Sequence, residues 1–160
     1  MSMFDPNAFL DLEITEAFER RPALPVRDYP TLIQEVTARQ WTSKDKYNDN
    51  GTLKSGVAYD LTLVVQVPLD IKEQIGLKTD TLTIKDSVMV DLNANGGLDT
   101  SPGANRQLRN YREALDMNKP GVSFRAREMA GRMVLLRIKH EEYPVGSGNL
   151  QEKPASVAKI

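Results

Sequence analysis

Between Tyr59 and Val67 the apolar side chains fall on alternate residues. Tyr59, Leu61, Leu63, Val65 and Val67 share one face, while Asp60, Thr62 and Gln66 share the other. A period of two places one face on a core and leaves the other to solvent, so this stretch can only be a half-buried β-strand. Pro68 ends it. Any fold for the chain must supply a sheet around this strand.

Three further segments read as its partners. Asp28 to Gln40 carries Pro30 near its start, where a missing N–H is tolerated. Thr81 to Leu92 is a strand with a bulge expected near Asp86 and Ser87. Arg132 to His140 alternates again, burying Leu136 and Ile138 and turning Arg137 and Lys139 outward. A short run from Ala155 to Ile160 closes the chain. Between the third and fourth strands, Ala104 to Met117 places Leu108, Tyr111, Arg112 and Leu115 at helical spacing. Asp70 to Gly76 reads as one helical turn.

The resulting order is three strands, a helix and two strands. It predicts a mainly β protein, a five-stranded OB-like barrel with its helix between strands 3 and 4. That architecture holds oligonucleotides or oligosaccharides on an open face. Ahead of it, Asp5-Pro6 is a helix start, Leu10, Ile14, Ala17 and Phe18 follow at helical spacing, and Pro22 stops the run. Residues 1–22 are thus expected to form an N-terminal helical extension on a single OB-like domain of residues 23–160. Its opposite face, Asp11, Glu13, Glu16 and Glu19, is acidic and offers docking on the barrel or contact with a partner.

The charge is sorted along the chain. Ser101 to His140 holds nine Lys/Arg and three acids, a local +6, whereas the whole 160-residue chain sums to −1. One basic surface on an acidic body suits a polyanion bound in one place. Trp41 to Gly56, read as a polar loop with a turn at Asn50-Gly51, holds the only tryptophan together with Tyr47, Lys44, Lys46 and Lys54. Bases stack on aromatic faces whatever their identity, and lysines neutralise phosphates. Arg137 and Lys139 on the fourth strand, Tyr143 at its end, and Arg106 and Arg109 one turn apart on the helix complete the candidate nucleic-acid-binding set. Lys85 joins only if its strand turns it outward. Trp41 reads equally as a cap on the core, and the lysines as solvated.

Catalytic chemistry has little to work with. There is no cysteine, which excludes disulfides, thiolate zinc sites and thiol nucleophiles. His140 is the single histidine and has no partnered nucleophile at a recognisable spacing. Asp45, Asp49 and Asn50 lack the calcium-loop spacing, and Asn95-Gly96-Gly97 lacks the lysine of a phosphate loop. The expectation is a binding protein with no cofactor and no metal, not an enzyme. No run approaches the ~18 apolar residues of a membrane span, and the N-terminus has no secretory pattern.

Three segments resemble a group of small bacteriophage OB-fold proteins that bind single-stranded DNA or act in recombination. They are ALPVRDYPTLIQEV (Ala23 to Val36), RQLRNYREALDMNKPG (Arg106 to Gly121) and AGRMVLLRIKHEEY (Ala130 to Tyr143). Arg27 stands where that family usually has glycine, and the long acidic tail of many single-strand binders is missing. The resemblance implies single-stranded DNA or RNA as ligand, phage or host replication proteins as partners, a homodimer, and the cytoplasm of the infected host. The competing reading is a virion decoration or assembly protein, or an inhibitor that acts on a host factor by protein contact.

Overall fold

The computed structural model describes residues 5–160. Five strands form one antiparallel sheet: β1 (Asp28–Tyr47), β2 (Leu53–Gln66), β3 (Thr81–Val90), β4 (Met133–Glu142) and β5 (Leu150–Ala158). Their order across the sheet is β3-β2-β1-β4-β5. Helix α1 (Leu69–Ile75) follows β2, and α2 (Arg106–Ala114) lies between β3 and β4. The edge strands β3 and β5 are not hydrogen-bonded to each other, so the sheet is not closed into a barrel; α2 packs against both. No helix among the described residues is long and apolar enough to cross a membrane.

The alternation in β2 does what its period requires. Leu61, Leu63 and Val65 are fully buried, together with Tyr29 and Ile33 of β1, Val88 of β3, and Val134, Leu136 and Ile138 of β4. Helix α1 adds Ile71 and Ile75, and α2 adds Leu108, Tyr111 and Ala114. Leu63 is fully buried in this cluster. Its replacement by alanine is expected to cost about 2–5 kcal/mol, read as a lowered urea midpoint with an unchanged slope.

One extra residue, Gln34, interrupts the β1–β2 register between Ile33 and Glu35. Gly131 meets this bulge: its N–H donates to the Ile33 carbonyl at 2.7 Å, with a backbone φ of +86°. A glycine is needed there because other residues adopt that angle at a cost.

Four expectations are corrected. The N-terminal helix over residues 6–21 is only a 3-10 turn, Pro6–Leu10, and residues 1–4 of the expected extension lie outside the described residues. The cap itself forms, with Asp5 Oδ1 accepting the Asn7 N–H at 3.0 Å. Beyond it, Leu10, Ile14 and Phe18 find nothing to bury against, and so short a helix is marginal without packing. Secondly, the expected loop Trp41 to Gly56 is mostly strand: β1 runs on to Tyr47 and β2 starts at Leu53, leaving a turn around Asn50-Gly51.

Thirdly, no bulge occurs at Asp86-Ser87, since β3 pairs with β2 without a register shift. Both polar side chains are satisfied locally, Asp86 by Tyr111 and Ser87 by Asp60. Finally, β5 begins earlier than expected and contains Pro154, opposite Ile138, beside a register shift. An edge strand tolerates a residue with no N–H to give.

The chain enters β1 along a fixed strap. Glu152 Oε1 accepts from Arg21 Nη1 at 2.7 Å and from the Leu24 N–H at 3.0 Å. His140 Nε2 lies 2.6 Å from the Leu24 carbonyl and must therefore donate to it. The histidine is thus a structural donor. Burial alone would raise the Glu152 pKa, but Arg21 and the Leu24 N–H outweigh it and the carboxyl is lowered.

Candidate nucleic-acid interface

The β1–β2 ribbon has two distinct sides because cross-strand partners share a face. Trp41 pairs with Gly56, Arg39 with Ala58 and Thr37 with Asp60. Between them, Ala38 pairs with Tyr59 and Gln40 with Val57 on the opposite side. Trp41 is half-buried, and its indole lies against Gly56: a Cβ on that glycine would sit 2.8 Å from the ring. Only glycine admits an aromatic ring this close to the backbone. The indole Nε1 is buried with no hydrogen-bond partner among the described residues, so the ring is held by packing alone.

The same side carries a polar tie across three strands. Arg39 Nε donates to Asp60 Oδ2 at 2.7 Å, and Ser87 Oγ donates to Asp60 Oδ1 at 2.8 Å. The Ser87 hydroxyl and the Arg39 guanidinium together lower the Asp60 pKa. Farther out on the arm, Ser43 Oγ accepts the Lys46 N–H at 3.0 Å, where the register jumps between Thr42 and Tyr47. That irregularity and the turn present Lys44, Lys46, Tyr47 and Lys54 to solvent. None of the three lysines forms an ion pair among the described residues.

Arg137 and Lys139 do project together from β4, between buried Leu136 and Ile138. Their surroundings differ. Arg137 is paired with Asp28 at 3.3 Å. Lys139 opens into a cleft of about 730 Å3 between the free edges of β3 and β5, which Lys85 and Lys153 also line. Lys153 is tied to Glu141 at 3.1 Å, and Lys85 and Lys139 form no ion pair among the described residues. Lys85 thus turns outward to share a cleft with Lys139. Tyr143 is exposed at the end of β4, beside the turn into β5.

Arg106 and Arg109 lie elsewhere. Both are exposed on α2; Arg109 lies 3.8 Å from Glu113 and faces a pocket of about 270 Å3 formed with the 98–105 loop. The pocket that Arg109 lines includes neither Trp41 nor Lys139. Three of the nine cations of the +6 segment instead gather around a second groove, where Arg112, Arg125 and Arg127 surround Tyr59 and Phe124. The sequence places Arg112 on the helix face of Leu108 and Tyr111 but gives no position to Arg125 and Arg127, because a charge excess says nothing about which turn carries it. Arg39 was missed for the same reason: it needs the register.

Beneath α2, Tyr111 donates to Asp86 Oδ2 at 2.5 Å. Burial raises the Asp86 pKa against the lowering effect of that hydrogen bond, and burial together with the facing carboxylate pushes the Tyr111 phenol up. A carboxyl raised in the folded state binds protons that the unfolded chain has released, so its ionisation costs stability as pH climbs past about 4. Asp86→Asn, which keeps an acceptor for Tyr111, is expected to gain stability relative to wild type between about pH 4 and 7, measured by paired urea melts.

Comparison with protein-family models, with curated proteins and with solved structures gives no match.

Proposed function

We propose that the chain binds single-stranded DNA, with little sequence preference, on the outer side of an open OB-type barrel, in phage replication or recombination. Support for the OB-type reading comes from the five-stranded antiparallel sheet, ordered β3-β2-β1-β4-β5, with α2 packed against both free edges. The observation that carries the reading is Trp41, held flat on Gly56 beside Lys54, with Lys44, Lys46 and Tyr47 farther along the same arm.

A base stacks on the indole while the lysines meet the flanking phosphates; such a surface is blind to base identity and accepts RNA as readily. Lys85 and Lys139 add two exposed cations at the cleft between the sheet edges, which Asp86, Glu141 and Glu152 also line. Fluorescence anisotropy of labelled oligo-dT tests it. Binding that is micromolar or tighter at about 50 mM salt and collapses near 300 mM is expected from counterion release. No binding at the lower salt removes the proposal.

A further inference from the structure

We infer that the acidic N-terminal arm of a second copy of this chain docks in the arginine-walled apolar groove formed by β1, β2, α2 and the 3-10 turn Ala126–Met129. The inference is independent of the nucleic-acid reading, because the groove lies on the opposite side of the β1–β2 ribbon from Trp41.

The arm has an unsatisfied surface. Leu10, Leu12, Ile14 and Phe18 are 56–88% exposed. They are interleaved with Asp11, Glu13, Glu16 and Glu19, and no Lys or Arg occurs from Asp5 to Glu19. Large apolar side chains collected in one segment, unlike singly scattered ones, mark a contact surface.

The groove is its complement. It encloses about 520 Å3 over Val36, Tyr59, Leu108 and Phe124, with Arg125 and Arg127 at its wall. Both arginines are exposed and neither forms an ion pair among the described residues. Apolar residues set against aliphatic and aromatic lining, and carboxylates set against guanidinium groups, form the pairing expected of a specific contact. A nucleic acid suits this groove less well. Much of its lining is aliphatic, and the Phe124 ring is already covered by the Arg112 guanidinium, 4.4 Å from its centroid.

Reach decides which chain's Phe18 can enter the groove. Arg21 is held by Glu152, alongside the start of β5. The groove is first met at Val36, eight residues into β1, or about 26 Å of strand at ~3.3 Å per residue. Phe18 is three residues from Arg21 and can lie no more than about 10 Å from it. With the strap in place, a chain cannot seat Phe18 in its own groove. A second copy can, and two-fold exchange places both arms at once.

Sedimentation of the full-length protein tests this. Wild type is expected to be dimeric at high micromolar concentration. Leu12→Asp/Phe18→Asp in the arm, and separately Arg125→Glu/Arg127→Glu in the groove, are expected to halve the sedimenting mass; all four positions are at the surface. Combining Arg125→Glu/Arg127→Glu with Glu13→Arg/Glu16→Arg should restore the dimer. As the chain has no cysteine, oxidation of a Phe18→Cys/Ala126→Cys variant should give a covalent dimer. A monomeric wild type, or a dimer indifferent to the arm variant, overturns the inference. So does an Arg125→Glu/Arg127→Glu protein of unchanged mass that no longer binds oligo-dT, which would assign the groove to nucleic acid.

Discussion

Reversing the three arm lysines, as Lys44→Glu/Lys46→Glu/Lys54→Glu, is expected to weaken oligo-dT binding by at least roughly a hundredfold at low salt. The argument is electrostatic. Each lysine is exposed and forms no ion pair among the described residues, so its charge is available to a phosphate without first breaking such a contact. Each neutralised phosphate contributes about 0.7 to the slope of log affinity against log salt for a single strand, so losing three should flatten that slope by about 2. Fold stability should be unaffected, because none of the three supports the core. Anisotropy titrations across a salt series measure both quantities. A variant that binds as wild type does, with the same slope, would place the phosphate path elsewhere.

Gly56→Val should act on the aromatic platform without touching any charge. The new side chain begins 2.8 Å from the indole Cζ2 and 2.9 Å from Cε2 and Nε1, closer than carbon atoms approach. The ring must therefore lift from the sheet. Its buried Nε1 then reaches water, and emission from this single tryptophan should shift to the red. Stacking of a base on an aromatic is worth about 1–3 kcal/mol, so affinity should fall about 5- to 150-fold. Trp41→Ala removes the same platform directly and should match it. A red shift with unchanged affinity would make Trp41 a packing residue only.

What was legible in the sequence follows from how local each signal is. The period-two run of β2 identified its own core face, because Leu61, Leu63 and Val65 need only the pleat to be placed. The helix between β3 and β4 and the outward pair Arg137 and Lys139 were likewise readable. The strand extension carrying the lysines was not: Lys44, Asp45 and Lys46 have loop composition, and only the pairing of flanking Thr42 and Tyr47 with β2 carries the strand through them. Nor was the N-terminal segment, where good helical spacing met no partner surface and so had nothing to stabilise it.

Site residues divided along the same line. Trp41 and Lys54 were proposed as neighbours in one loop and are neighbours through register, two residues apart across Gly56. Arg106 and Arg109 were grouped with them by charge alone and stand on α2, Arg109 facing another pocket. Convergence between segments distant in the chain depends on topology, which charge counting does not contain.

The most direct measurement is the emission of Trp41 during titration with unlabelled oligo-dT. The account predicts saturable quenching that follows binding seen by anisotropy, is lost in the Lys44→Glu/Lys46→Glu/Lys54→Glu protein, and weakens steeply with salt. Emission that stays constant while the oligonucleotide binds would contradict it, since a strand lying on this face must cover the indole.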